Sequence, residues 1–210
     1  MSIFTDDNRR RGDAAIRECE RFFMRESQVH RTLASITRKL DELGIPYAVA
    51  GGMALVAHGF ERVTVDVDIL VAPEGLAAIH RQLDGLGYAP PFDGSKNLKD
   101  AATGVRIEFL VAGQFPGDGK PKPVAFPDPA KVCVEIDSVR YLGLPSLVEL
   151  KLASGMTGGV ARLKDLADVV SLIQTLRLRL EFAQQLNPYV RAKYEELWQG
   201  LKADTSLEPR

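Results

Sequence analysis

The spacing of hydrophobic and polar residues along the chain predicts helices and strands in a definite order. Between residues 27 and 43, apolar side chains recur at steps of three and four, which predicts an amphipathic helix. Residues 47–50 follow as a short buried strand. Residues 63–71 alternate strictly between β-branched apolar residues and polar residues, which predicts a strand with one buried face. The same alternation predicts a strand over 105–111 and a hairpin over 132–142.

Helices are predicted where this alternation stops. Pro73 begins one helix and Gly87 ends it, and the C-terminal third is helical, beginning with a helix capped by Ser146. Residues 113–129 contain five prolines and predict a long flexible loop. These elements predict an α+β fold, with a mixed β-sheet flanked by helices and an α-helical C-terminal extension. We expect three parts: a peripheral N-terminal segment of residues 1–24, a core of residues 25–142 and a helical C-terminal subdomain of residues 143–210.

Composition and charge narrow the class of protein. The chain has 210 residues, with 27 Lys or Arg against 28 Asp or Glu, so its net charge is -1. This balance excludes a general nucleic-acid coat, while the arginines at positions 9–11 remain available for a flexible contact. Cys19 and Cys133 are too few for a disulfide framework, and no segment resembles a signal peptide or a membrane span. We therefore expect a soluble cytoplasmic protein with no membrane partner.

Two acids one residue apart are the sharpest chemical signal. Asp66 and Asp68 lie on the polar face of the strand predicted over 63–71, about 7 Å apart along it by the usual rise of a strand. Their carboxylates would repel each other in a half-buried strand unless a cation lay between them. Hard carboxylate oxygens suit Mg²⁺ or Mn²⁺. The pair therefore predicts a divalent metal site.

Two further features would complete such a site. Gly51 and Gly52 follow a predicted strand and open a short helix, where backbone N–H groups and the absence of a side chain favour a phosphate. A third carboxylate is offered equally by Glu108 and by Glu135, since both alternate with apolar residues on a predicted strand. Periodicity alone does not separate these two glutamates.

Other candidate motifs are weaker. The segment from Gly113 to Lys120 is glycine-rich and follows a strand, but it is one residue too long for a P-loop and Pro121 replaces the required Ser or Thr. Near the C-terminus, Lys164 and Asp168 are four residues apart on a predicted helix, which predicts a surface ion pair. Lys151, in the preceding helix, is a candidate for contact with a phosphate.

At two places the chain resembles a known family. Residues 50–70, with Gly51-Gly52 followed by Asp66-Val67-Asp68, look like the signature of the nucleotidyltransferase superfamily typified by DNA polymerase β. The pattern Arg-x-Thr-x-Asp-x-Asp of residues 62–68 most resembles AbiEii-type toxins and related small bacterial nucleotidyltransferases. Residues 149–169 are similar to the Lys…Arg-x-x-Asp-x-x-Asp helices of that group. The resemblance implies a nucleotidyltransferase fold.

The resemblance also implies roles for individual residues. Asp66, Asp68 and Glu108 would form the catalytic metal site for Mg²⁺ or Mn²⁺, because the family pattern selects Glu108 over Glu135. A substrate hydroxyl would attack the α-phosphorus of a nucleoside triphosphate (NTP) in line, and Glu108 or a second metal would help to deprotonate it. The implied nucleotide-binding residues are Gly51, Gly52, Arg62, Thr64, Lys151 and Asp165.

Several functions remain open at this point. The enzyme class implied is a nucleotidyltransferase that moves a nucleoside monophosphate (NMP) onto a hydroxyl of an RNA or tRNA end, a protein or a small molecule such as an aminoglycoside or lincosamide. A toxin role, with a partner antitoxin protein, is implied by the AbiEii-type resemblance. The alternative is a non-catalytic protein of the same fold that binds a nucleotide or a partner.

Overall fold

The computed structural model describes the backbone of residues 6–205 and the side chains of residues 14–203. The helices in this part of the chain are α1 (Asp6–Phe23), α2 (Gln28–Glu42), α3 (Gly51–Ala57), α4 (Pro73–Leu83), α5 (Pro129–Val132), α6 (Leu144–Thr157), α7 (Leu163–Thr175) and α8 (Pro188–Thr205). The strands are β1 (Tyr47–Val49), β2 (Asp66–Val71), β3 (Tyr88–Ala89), β4 (Leu98–Asp100), β5 (Arg106–Val111), β6 (Cys133–Ile136) and β7 (Val139–Leu142). Two 3₁₀ turns, Val160–Arg162 and Leu180–Gln185, join the last helices.

The strands form one mixed sheet in the order β3-β4-β5-β2-β1-β7-β6. β2 pairs with β1 in antiparallel orientation and with β5 in parallel orientation. Helices α2 and α3 pack on β2, and α4 packs on β5. The prediction of an α+β fold with a mixed sheet flanked by helices is therefore confirmed. No described helix is both long and apolar enough to cross a lipid bilayer.

The central strands bury the apolar half of their alternating pattern. Val67 and Ile69 of β2, and Ile107 and Phe109 of β5, have no exposed surface, and they pack into one hydrophobic core. Because side chains alternate across a strand, the intervening polar residues of both strands face the opposite side of the sheet. Burial of one face of β2 and β5 thus fixes which residues the other face presents.

The strand predicted over 63–71 is shorter than its sequence pattern suggests. β2 begins at Asp66, and Val65 is 78% exposed just before it. The residues ahead of β2 lie outside the sheet and are held by side-chain hydrogen bonds. Thr64 Oγ1 donates to Asp66 Oδ1, and Arg62 Nη1 donates to Asp168 Oδ1 on α7. The alternation therefore continues into a connection that is held by side chains.

Two elements differ from their predicted bounds at helix ends. α4 ends at Leu83 and not near Gly87, because the short strand β3 and the bridge from Asp84 to Tyr88 follow it. α6 begins at Leu144 with Gly143 as its N-cap, so the predicted Ser146 cap is wrong. Pro145 lies in the first turn, where a missing N–H costs no hydrogen bond. Proline thus marks the start of the helix better than serine does.

The proline-rich segment between β5 and α5, residues 112–128, is tied to its neighbours. Gly113 N–H donates to the Phe126 carbonyl at 2.8 Å, which closes the segment on itself. The Lys122 ammonium is buried and donates to the Pro116 carbonyl at 2.5 Å and to Thr157 Oγ1 of α6 at 3.1 Å. No helix follows Lys120 before Pro129, in agreement with the rejection of a P-loop.

The N-terminal segment forms the helix α1, which contacts α2. Phe22 is buried, and the Gln28 N–H donates to Glu18 Oε1 at 3.0 Å across the turn between the two helices. The side chains of the arginines at positions 9–11 lie outside the described residues, so their predicted contact stays a prediction. The division into three parts at residues 24 and 142 also stays a prediction.

Candidate functional site

A cleft of about 430 Å³ opens between the polar face of β2 and β5 and the helices α6 and α7. The segment of residues 112–128 closes one side of it through Pro116, Gly117 and Phe126. The nine predicted site residues all line this cleft: Gly51, Gly52, Arg62, Thr64, Asp66, Asp68, Glu108, Lys151 and Asp165. The fold therefore brings together positions that lie as far as 114 residues apart, the separation of positions 51 and 165.

Three carboxylates come from the paired strands β2 and β5. Asp66 and Asp68 share one face of β2, and the parallel register places Asp68 directly beside Glu108. Arg106 Nη2 lies 3.2 Å from Glu108 Oε1. Glu135 is exposed on β6, the far edge strand, three strands away from β2. Sheet order thus separates two glutamates that periodicity leaves equivalent.

The pKa of Asp68 is strongly shifted by its surroundings in the cleft. Burial and the neighbouring charges of Asp66 and Glu108 raise the pKa of Asp68 to about 7, against the opposing effect of the Lys151 and Lys164 ammonium groups. Both causes, burial first, disfavour the ionised form of this carboxyl. A bound cation would supply positive charge and restore the ionised form.

The donor set fits a magnesium ion that also binds phosphate. In the described part of the chain, no group of three or more His, Cys, Asp or Glu side chains lies close enough to hold a metal ion. Mg²⁺ does not need such a cage, because it is usually held by one or two carboxylates together with substrate phosphates and water. Asp66 and Asp68 meet that requirement, and a shared role for Glu108 stays a prediction.

The glycine turn lies directly against the metal strand. Gly51 has a φ of +55°, and a Cβ at this position would lie 1.8 Å from Asp68 Oδ2. A Cβ on Gly52 would lie 2.6 Å from Thr64 Oγ1. The Ala50 N–H also donates to the Asp68 carbonyl at 2.8 Å. Both glycines are therefore required for close packing, and both line the cleft.

A network of ion pairs forms the opposite wall. Lys151 Nζ donates to Asp165 Oδ1 at 3.0 Å and to Asp168 Oδ2 at 2.6 Å, and all three residues are buried. Ser154 Oγ donates to Asp165 Oδ2 at 2.7 Å, while Arg62 binds the other oxygen of Asp168. Burial opposes ionisation of Asp165, but the Lys151 charge and the hydrogen bonds outweigh it and hold its pKa below 3.8.

This network overturns one expectation from the sequence. Asp168 does not form a surface pair with Lys164; it is buried and binds Lys151 and Arg62. Asp168 and Ser154 are cleft residues that were missing from the predicted site. The spacing of Asp165 and Asp168, three residues apart on one helix face, is a sequence signal that points to them.

The end of α6 and the start of α7 supply two more cations. Arg162 and Lys164 line the cleft and are exposed. A Cβ on Gly158 would lie 2.2 Å from Arg162 Cγ, so the glycine makes room for the arginine side chain. Gly159, with a φ of +64°, then turns the chain into α7. The absence of a side chain at Gly158 is therefore what admits the Arg162 side chain at this place.

Comparisons with known proteins bear on the fold. No family model matches the chain, and no curated protein matches it. Among solved structures, the solution structure of the antibiotic-resistance factor ANT(2'')-Ia has a TM-score of 0.50 and 14% identity, over 86% of this chain and 96% of that one. This likeness supports a nucleotidyltransferase fold for the chain.

Two other solved structures score slightly lower. The crystal structure of ANT(2'')-Ia in complex with adenylyl-2''-tobramycin has a TM-score of 0.48 and 14% identity, over 76% of this chain and 92% of that one. An antigenic nucleotidyltransferase-like protein from Paracoccidioides brasiliensis has a TM-score of 0.49 and 15% identity, over 84% and 89% of the two chains.

Proposed function

We propose that the protein is a metal-dependent nucleotidyltransferase that moves an NMP from an NTP onto a hydroxyl acceptor. The observation that carries this proposal is the contact between Gly51 and Asp68. It joins a side-chain-free turn, suited to phosphate, to a strand that carries two carboxylates suited to Mg²⁺. The similarity of the fold to that of ANT(2'')-Ia also supports the proposal.

The metal would be held by Asp66 and Asp68 together with phosphate oxygens of the nucleotide. Mg²⁺ or Mn²⁺ bound there supplies positive charge to the triphosphate and to the leaving pyrophosphate. Thr64 Oγ1 donates to one oxygen of Asp66 and so orients that carboxylate toward the cleft. The high pKa of Asp68 supports this assignment, since burial and the charges of Asp66 and Glu108 disfavour its ionised form and a bound cation would favour it.

Glu108 is the proposed acceptor of the hydroxyl proton. It lies beside Asp68 in the sheet and lines the cleft together with Leu110 and Phe126. The Arg106 guanidinium, 3.2 Å from Glu108 Oε1, forms an ion pair with it that limits the rotation of the glutamate side chain. A hydroxyl bound between Glu108 and the α-phosphate would transfer its proton to the carboxylate as the new P–O bond forms.

The acceptor and the biological role belong to the same proposal. The resemblance of residues 62–68 to AbiEii-type toxins supports a toxin role, in which an antitoxin protein would counter the activity. Induced expression of the wild-type chain in bacteria is then expected to arrest growth, and Asp66→Ala is expected to abolish the arrest. Equal growth of both strains would contradict the toxin role and leave the reaction itself unaffected.

The reaction is tested by transfer of label. The protein is incubated with Mg²⁺ and each α-labelled NTP, against total tRNA, a bacterial protein extract and a panel of hydroxylated antibiotics. We expect label on one acceptor class, and loss of at least about a hundredfold in rate for Asp66→Ala and Asp68→Ala, because charge stabilisation is removed. Asp93→Ala, an exposed acid outside the cleft, is the matched control. NTP binding without transfer to any acceptor would favour the non-catalytic alternative.

A further inference from the structure

We propose that Lys164, with Arg162 beside it, is the cation of this cleft that contacts the terminal phosphates of the nucleotide. Lys151, to which the family resemblance assigns nucleotide binding, is instead a positioning residue that holds Asp165 and Asp168. The inference rests on the proposed function and assigns the polyphosphate side of that site to two residues of the α6–α7 connection.

Lys151 has little capacity left for a ligand. A lysine ammonium has three N–H donors, and Lys151 directs two of them to Asp165 and Asp168. The residue is only 9% exposed, and both carboxylates are buried with it. Turning the ammonium toward a phosphate would leave two buried carboxylates without their counter-ion, which is costly. Its charge is therefore already used within the protein.

The charge of Arg62 is likewise paired with a carboxylate of the protein. Its Nη1 donates to Asp168 Oδ1 at 2.5 Å, and its side chain is 29% exposed. The guanidinium retains other donors, but its charge is matched by a carboxylate that also binds Lys151. Arg62 and Lys151 thus share the two aspartates of α7, and the four residues together have no net charge.

Lys164 differs from both of these cations. Of the cations lining the cleft in the described residues, it is the one with no carboxylate within 4.0 Å: Arg62, Lys151 and Arg162 each have at least one. Lys164 is exposed at the start of α7 and lines the same cleft as Asp66 and Asp68. An exposed ammonium without a carboxylate partner, in the cleft of a proposed metal site, is free to bind an anion there.

Arg162 supports Lys164 from the neighbouring turn. Its closest carboxylate oxygen, on Asp165, is 3.9 Å away, and its side chain is 48% exposed. Gly158 leaves space for the arginine stem, and Arg162 lines the cleft. Two cations on one wall and the carboxylate pair on the other match a metal–triphosphate complex, whose terminal phosphates retain negative charge beyond the metal.

The test measures binding and not catalysis. Isothermal titration with inorganic tripolyphosphate, and separately with ATP, is carried out in the presence of Mg²⁺ on the full chain. Lys164→Gln is expected to weaken both affinities by about tenfold or more, the usual effect of losing one charge-assisted hydrogen bond. Lys164→Arg should restore most of the binding. Lys131→Gln is the matched control, since Lys131 is an exposed lysine outside the cleft.

The roles proposed for Lys164 and Lys151 are distinguished by the effect of their substitution on the melting temperature. Lys164→Gln should leave the melting temperature unchanged, whereas Lys151→Met should lower it strongly. Unchanged tripolyphosphate affinity in Lys164→Gln overturns the proposal. So does a Lys151→Met variant that keeps its melting temperature and loses binding. If the wild-type chain binds neither tripolyphosphate nor ATP, the proposed function itself fails, which is a different result from the failure of Lys164 alone.

Discussion

Gly51 and Asp68 are in contact, and no side chain fits between them. A Cβ added to residue 51 would lie 1.8 Å from Asp68 Oδ2, so the two atoms would collide. The backbone adds a second constraint, because Ala50 N–H donates to the Asp68 carbonyl. The turn at Gly51 and the Asp68 side chain thus pack tightly together, and we expect a substitution of either residue to displace the other.

Substitution of this glycine is the most direct consequence. Gly51→Ala should destabilise the fold, because alanine is strained at a φ of +55° and its Cβ collides with Asp68. Gly44→Ala is the matched control, since Gly44 has a φ of +64° and nothing within 4 Å of its Cβ position. We expect the free energy of unfolding in urea to fall by about 1–3 kcal/mol more for Gly51→Ala than for Gly44→Ala. Equal losses would mean that the contact with Asp68 relaxes freely.

The hydroxyl of Thr64 should matter more than its shape. Thr64→Val removes the donor to Asp66 Oδ1, at 2.8 Å, while it keeps the branched side chain that packs against Gly52. We expect Thr64→Val to lower kcat/KM for nucleotidyl transfer by about tenfold, as one hydrogen bond to a charged group is lost. Thr64→Ser retains the donor and should stay within a few-fold of the wild type. A valine variant as active as the serine variant would remove the proposed orienting role.

The buried lysine should be important for stability. Lys151→Met leaves Asp165 and Asp168 without their shared counter-ion, and breaking a buried ion pair on one side costs about 3–5 kcal/mol. Removal of both acids as well, in Lys151→Met/Asp165→Asn/Asp168→Asn, should recover part of that loss. Lys131→Gln removes a pair whose lysine side chain is 80% exposed, and should change stability by about 0.5 kcal/mol or less. Chemical denaturation of the four proteins checks these differences.

The pH dependence of stability should carry a contribution from His30. Burial and the nearby Arg25 charge lower the pKa of His30 below 6.5, its value in the unfolded chain. Between the folded and unfolded pKa values the unfolded state binds more protons, so stability falls as pH drops below 6.5 and is unaffected by His30 well above it. The His30→Gln variant should lose this slope between pH 7.5 and 5. If wild type and variant show parallel curves of unfolding free energy, His30 makes no such contribution.

The local pattern of residues was sufficient to identify the two central strands and their polar face. Val67, Ile69, Ile107 and Phe109 are buried as their alternation predicts, and so Asp66, Asp68 and Glu108 face the cleft. Tertiary contacts could not be read in this way. Asp168 lies at a helix position that appears polar and exposed, but its partners, Lys151 and Arg62, come from 17 and 106 residues away in the sequence.

The local pattern of residues also did not predict where the strands begin, which short strands exist or how they are ordered in the sheet. The alternation over 63–71 is unbroken, yet β2 begins at Asp66. The residues before it form a connection in which Arg62 bonds to Asp168 on α7 and Thr64 bonds to Asp66. The strands β3 and β4 have only two and three residues, too few for any periodic signal. The choice between Glu108 and Glu135 required the order of strands in the sheet, which depends on the whole chain.

The parallel pairing of β2 with β5 makes the cleft unusually sensitive to changes in chain length at one place. Each residue from 66 to 71 is paired with the residue 40 positions later, so Asp68 meets Glu108 only in this register. A single residue inserted within β5 ahead of Glu108 would turn that glutamate toward the core and bring an apolar side chain to the cleft. Insertions in the exposed turns around Gly85 and Gly94, between the two strands, would leave the pairing intact. We therefore expect insertions and deletions to be tolerated in the turns around Gly85 and Gly94 and not within residues 106–108.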